Sequence, residues 1–385
     1  MVVKESEIKV SRVTRKILQY SLIWPKEGDE INPGKWYYIR IFTFLSFTSL
    51  WCIAICMHFI IVLKDKIDWD VTEEIAIIIA IYGTYYMVLA YVKNQKKAAR
   101  ILRDLSNFER FGVPPGFEEE EKRLKVYIIG IFIYAFLTIT FYNFFKLSQK
   151  GACERFNEEH HLDENCGLLS PVWIPFKVDR FPQFELVFLY LFTCCHLLMK
   201  LPLVVSYNAL EMVHHIILRI NHLKIMITEC FDEPEYEISR RKLTQCILYH
   251  IEILEFATRV DDCFSNCMFA HLTLTGAICA CLEKQIVAGI SRFGAILHFI
   301  GWILALFIGC LGGQHFINAS DTIPESIWAS KWYNANLRLR KDLLLMMMRS
   351  QRDLHITAGP FGVVSYALFL SVLKMSYSIL CVLTS

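Results

Sequence analysis

The sequence predicts an all-α, polytopic membrane protein with seven transmembrane helices. Three observations carry that reading: where apolar residues gather, where Lys and Arg fall, and one break near the C-terminus. The chain has 385 residues, 55% of them hydrophobic and 14% aromatic. A soluble protein of this length would bury them in a core of mixed patterning. Here they form charge-poor blocks of roughly 20 residues, the length that crosses bilayer hydrocarbon. Seven can be read: 41–63, 75–92, 126–145, 186–210, 263–282, 293–313 and 356–383.

Residues 1–40 precede the first block and are polar and charged, with Lys4, Lys9, Arg12, Arg15 and Lys16. Block 41–63 is too long for the apolar region of a cleaved signal, so it is expected to insert and stay. The fourth block is interrupted by Lys200 and Pro202, the seventh by Lys374. Lys200 beside the proline reads as a kink with a lysine reaching the interface. Lys374, expensive in hydrocarbon, reads as snorkelling or paired rather than facing a cation path.

Basic residues set the orientation. With the N-terminus inside, segments 1–40, 93–125, 211–262 and 314–353 hold 8, 9, 6 and 6 Lys and Arg. The outside segments 64–74, 146–185 and 283–292 hold 2, 5 and 2. A balance of 29 to 9 predicts a cytoplasmic N-terminus and an extracellular C-terminus. That is upside down for a G-protein-coupled receptor, and the chain also lacks a DRY-type triplet and an NPxxY-type seventh span. A transporter would show an internal repeat or matching broken helices in two halves. The breaks at Pro202 and Pro360 are not symmetrically placed, and seven spans do not halve.

Segment 211–262 is too long for a simple connector. Met212, Ile216, Ile220, Leu223 and Ile227 recur at helical spacing, and so do Ile247, Leu248, Ile251, Leu254 and Ala257. The acidic "CFDEPEYE" with Pro234 marks a turn between them, so spans four and five continue inward as an antiparallel pair. Residues 328–352 form an amphipathic helix with Trp332, Leu339, Leu343 and Met346 near one face, a partner for such stripes. Then "MMMRSQRDLHITAGPFGVV" (346–364) changes character. Pro360 lacks a backbone N–H and biases Gly359 away from helical geometry, so the final span is a separate helix meeting the previous one at a hinge.

No enzyme motif is present. There is no phosphate-cradling Gly-rich loop, and His214, His215 and His222 have no partners at zinc spacing. "EEHHLDE" (158–164) reads as a solvated acidic loop rather than a metal site. No cofactor, metal or nucleic acid is expected. The sequon at Asn318 falls on the cytoplasmic side and is expected to stay unmodified. Cys153 and Cys166 lie in the large outer loop, where oxidation can occur, and both a disulfide and free thiols are open.

The C-terminal 60 residues carry a resemblance. "LLLMMMRSQ", "ITAG" and "SVLKMSYSILCVL", in that order behind a tryptophan-containing helix start, resemble the C-terminus of insect odorant receptors. Length and inverted topology extend the likeness over the chain. Related gustatory receptors end in a Thr-Tyr…Gln-Phe pattern, whereas this chain has Ser376-Tyr377 and ends Leu383-Thr384-Ser385. It looks like a ligand-tuning subunit rather than the co-receptor, which carries a longer insertion between spans four and five.

The resemblance implies a cation channel gated by a small volatile, assembled as a tetramer with odorant co-receptor subunits in the plasma membrane of a sensory dendrite. It divides the chain into a cytoplasmic segment (1–40), spans one to six with the odorant pocket and cytoplasmic extensions (41–313, including 211–262), an anchor helix (314–353) and a pore-lining seventh span (354–385). Pocket candidates are Tyr82 and Tyr86; Phe136, Thr140 and Phe141; Phe188, Phe192 and Cys195; and Phe293, Leu297 and His298. A pore face through Leu373, Tyr377, Leu380 and Thr384, with Leu383, would supply a gate that excludes ions by dewetting. Trp332, Leu339, Leu343 and Met346 are the candidate subunit anchor. Lipid and permeating cations complete the expected partners.

Overall fold

Seven helices among the described residues are long and apolar enough to cross a membrane. The computed structural model describes residues 8–384 apart from 65–70, 161–163, 177, 179, 234 and 290–291. Pro234 of the acidic turn and part of the 158–164 stretch therefore lie outside the described residues. Eleven α-helices follow in order among the described residues: α1 Arg12–Tyr20, α2 Lys35–Lys64, α3 Thr72–Leu105, α4 Phe117–Ser148, α5 Lys150–His160, α6 Gln183–Leu198, α7 Leu201–Thr228, α8 Tyr236–Ala288, α9 Arg292–Ala329, α10 Leu337–Ser350 and α11 Tyr366–Thr384. The fold is all-helical apart from an isolated antiparallel bridge between Thr357 and Val363.

Most helices overrun their apolar blocks, chiefly at the end of the bundle where α2 begins, here the near end. At about 1.5 Å per residue, α8 alone is about 80 Å long against a hydrocarbon thickness of about 30 Å. The α7–α8 pair projecting from the near end is the antiparallel extension the spacing predicts. The fourth span is broken at Met199 and Lys200, which separate α6 from α7. Pro202 sits in the first turn of α7, where a missing N–H breaks no helical bond. Lys200 stays within the bundle, its ammonium 5.4 Å over the Phe132 ring.

Two boundaries differ from expectation. Segment 314–353 is not one anchor helix: α9 continues past Pro324 to Ala329, a 3₁₀ turn follows at Trp332–Asn334, and α10 starts afresh. Asn336 ends the break, its side chain accepting from the Arg338 N–H at 3.1 Å, an N-cap that residue pattern alone obscured. The seventh helix begins at Tyr366 rather than 356. Residues before it form a tight loop in which Val364 N–H donates to the Ile356 carbonyl at 2.9 Å and Thr357 N–H to Asp261 at 2.6 Å. That loop is pressed onto α9 at Gly313, where any Cβ would collide with the Val364 carbonyl. Only glycine fits.

α8 is the central helix, packed against α3, α7, α9 and α11. At the near end the N-terminal segment is tied down: Lys9 and Val10 N–H groups donate to Ser106 Oγ at 2.9 and 3.2 Å, and Arg15 pairs with Glu30 at 2.8 Å. Arg259 bridges α8 to α3 through Asp104 at 2.7 Å.

A candidate ligand cavity in the far half of the bundle

A cavity of about 130 Å³ lies in the half of the bundle away from the near end. Five walls line it: α3, α4, the α6–α7 break, α8 and α9. Its space comes from small residues, Ala76 and Ala80 on α3, Ala135 on α4, and Gly301 and Ala305 on α9. The Met199–Pro202 break adds room where two helices replace one. Ile139, Leu203, Ile278, Leu282, Leu297 and Trp302 make the lining mainly apolar.

The polar groups sort into spent and unspent. Glu73 accepts from the Tyr142 hydroxyl at 2.9 Å and from Lys146 at 2.8 Å, closing an ionic cluster at the outer rim. The Tyr142 ring lies against His298, centroids 4.0 Å apart. By contrast, Tyr134 Oη and Gln285 Nε2 are buried and have no hydrogen-bond partner among the described residues. Both residues line the cavity. Buried polar atoms are nearly always paired, and these two, one on α4 and one on α8, leave hydrogen-bonding capacity on two walls of the cavity.

Of the pocket residues named from sequence, Leu297 and His298 line this cavity. Tyr82, Tyr86, Phe136, Phe141 and Phe293 are exposed on the outside of the bundle. Phe188 and Phe192 stack on α6, centroids 6.3 Å apart, and reach Phe144. Thr140 meets His196 at 3.2 Å, and Cys195 is buried within the α6 packing. The sequence reading missed the small residues, Tyr134 and Gln285; the alanines and glycine facing one another on α3, α4 and α9 were the available signal.

On α11, Leu368, Val372 and Ser376 are buried. Leu373 and Leu380 are half-buried, while Tyr377, Leu383 and Thr384 are exposed. Leu370, Tyr377 and Thr384, seven residues apart, form an outward stripe. At the near end, Leu339, Leu343 and Met346 are buried within the chain's own core, and Trp332 packs on Trp328 at 5.6 Å. The opposite face of α10, with Leu337, Leu344, Leu345 and Met348, is exposed. The stripe read as an inter-subunit anchor thus covers the chain's own helices. Cys153 and Cys166 are joined by a disulfide that ties α5 to the loop after it. No group of metal-ligating side chains is found among the described residues.

Seven spans, a structured hinge before the last, and long helices projecting from one end make this a multi-pass membrane protein. The family model for the 7tm Odorant receptor matches residues 69–377, and the chain belongs to that family, of receptors rather than enzymes. Odorant receptor Or1 of Anopheles gambiae is 29% identical over 151 residues, 37% of this chain and 36% of that protein. Odorant receptor 22c of Drosophila melanogaster is 27% identical over 158 residues, 40% and 39% of the two chains. The chain thus matches well under half the length of these relatives. Two structures of the insect olfactory receptor OR5 from Machilis hrabei share the fold. The first has a TM-score of 0.78 at 16% identity, covering 97% of this chain and 96% of that one. The second, in complex with eugenol, has a TM-score of 0.74 at 15% identity over 97% and 98%.

Proposed function

We propose that this chain is a ligand-tuning odorant receptor subunit of a non-selective cation channel, opened directly by a small volatile and working with co-receptor subunits in a tetramer. The observation that carries the reading is the far-half cavity. Its volume is on the scale of the apolar cavity, about 150 Å³, that takes up benzene. Its two unspent groups suit a mostly apolar volatile bearing one oxygen, which can accept from Gln285 or Tyr134. Kinship with a receptor solved with eugenol supports a small-molecule ligand.

The near end is then cytoplasmic, in a plasma membrane, with the cavity in the outer half of the spans. The outward stripe of Leu370, Tyr377 and Thr384 is available to line a central pore, with Leu373, Leu380 and Leu383 beside it as the apolar gate. The subunit anchor moves to the exposed α10 face of Leu337, Leu344, Leu345 and Met348, an apolar patch that a soluble surface rarely leaves open. Whole-cell recording with G-protein signalling blocked tests the reading, in cells expressing this chain alone and with an insect odorant co-receptor. Fast cation currents evoked by a volatile and requiring both chains are expected. Silence to a broad oxygenated panel, with both chains at the surface, would contradict it.

A further inference from the structure

The central helix α8 carries two opposite faces in its outer third. Ile278, Leu282 and Gln285, at i, i+4 and i+7, line the cavity. Gly276 and Glu283, also seven apart, lie on the other side of the same turns, since about 100° per residue puts them nearly opposite that lining. This second face meets α11. At Gly276 a Cβ would collide with the Met375 methyl and stand 3.6 Å from Val372, so glycine lets the two helices approach closely. Two turns further out, Ser376 Oγ donates to Glu283 Oε1 at 2.9 Å.

That bond is not surface decoration. Ser376 is fully buried, and the second carboxylate oxygen, Glu283 Oε2, is buried without a hydrogen-bond partner among the described residues. A carboxyl held there by one serine is costly for a site whose only task is packing, because an apolar pair would fill the space without leaving an oxygen unpaired. The costly group sits where the cavity helix touches the seventh helix.

We propose that Glu283 is a positioning residue that couples cavity to pore: through Ser376 it makes α11 follow the movement of α8 when a ligand engages Leu282 and Gln285. The proposal rests on the channel reading above. Loss of the bond loosens the coupling, so more ligand is needed to open the pore while the amount of protein at the surface is unchanged.

Concentration–response curves for an activating volatile, in cells expressing the full chain with the co-receptor, test it. Ser376→Ala and Glu283→Leu are each expected to raise the half-maximal concentration roughly threefold or more, the scale of one interhelical hydrogen bond in a membrane. The double variant should be no worse than the single ones. Ser376→Thr, which restores a hydroxyl, and Glu283→Gln, which keeps a carbonyl acceptor, should lie near wild type. A purely structural role would lower surface level and current amplitude but leave the half-maximal concentration in place. If Glu283→Leu fails to reach the surface, the Ser376→Ala and Ser376→Thr pair still decides. Curves that coincide with wild type, or single effects that multiply in the double variant, would overturn the coupling alone. Wild-type channels silent to every volatile would overturn the channel reading and the coupling with it.

Discussion

The near end and the far half of the bundle are built from the same helices but solve different problems. At the near end, α7 and α8 run together and helices are stitched by polar and ring contacts. Arg219 is 2% exposed, donates to the Leu105 carbonyl at 2.7 Å, and lies between the Phe108 and Phe256 rings at 5.1 and 5.4 Å. His215 meets Glu121 at 2.9 Å and Arg259 meets Asp104 at 2.7 Å. In the far half, α4 buries little of its length, small residues open a cavity, and Tyr134 and Gln285 leave hydrogen-bonding capacity unspent. Close packing of rings and ion pairs specifies one arrangement, whereas a cavity leaves room for an occupant. Close packing belongs to the end where α7 and α8 run together, and space to the half proposed to receive a ligand.

Substitutions can break or sharpen that contrast. The largest effect is expected from Arg219→Leu, which removes a charged hydrogen bond and two cation–π contacts, on the order of 2–4 kcal/mol together. Surface level and the melting temperature of the detergent-solubilised protein should both fall, with any residual current keeping its half-maximal concentration. Next, Ala305→Phe fills the cavity and should raise the half-maximal concentration at least tenfold, about 1.4 kcal/mol, with surface level unchanged. Tyr134→Phe removes one hydroxyl, so an oxygenated volatile should lose roughly two- to tenfold in potency while a hydrocarbon of the same size loses nothing. Tyr82→Ala, on the exposed face of α3, should shift potency less than about twofold. A large effect at Tyr82 with none at Ala305 would place the ligand on the outside of the bundle.

Sequence made the seven spans legible because bilayer-length apolar blocks have few other uses. The hinge, through Pro360 and Gly359, was legible too, as was the helical extension of spans four and five beyond the bundle. The ends of α9 and α10 were not, since Pro324 sits inside a helix without stopping it and the break is set by the Asn336 cap. The site was harder for a physical reason. A helix bathed in lipid is apolar on every side, so periodicity does not separate pocket from surface. Large aromatics such as Tyr86 and Phe293 drew the eye but face outward, while Ala80, Ala135 and Gly301 make the space. On α10 the stripe of Leu339, Leu343 and Met346 was readable, but the helices it covers belong to the same chain.

The most direct test of the cavity's role is a structure of the purified channel with an activating, oxygen-bearing volatile bound. Ligand density is expected among Trp302, Ala305 and Leu282, with its oxygen within hydrogen-bond distance of Tyr134 or Gln285. An occupied site outside these five walls, with the cavity unchanged, would contradict the assignment of ligand recognition to the far half.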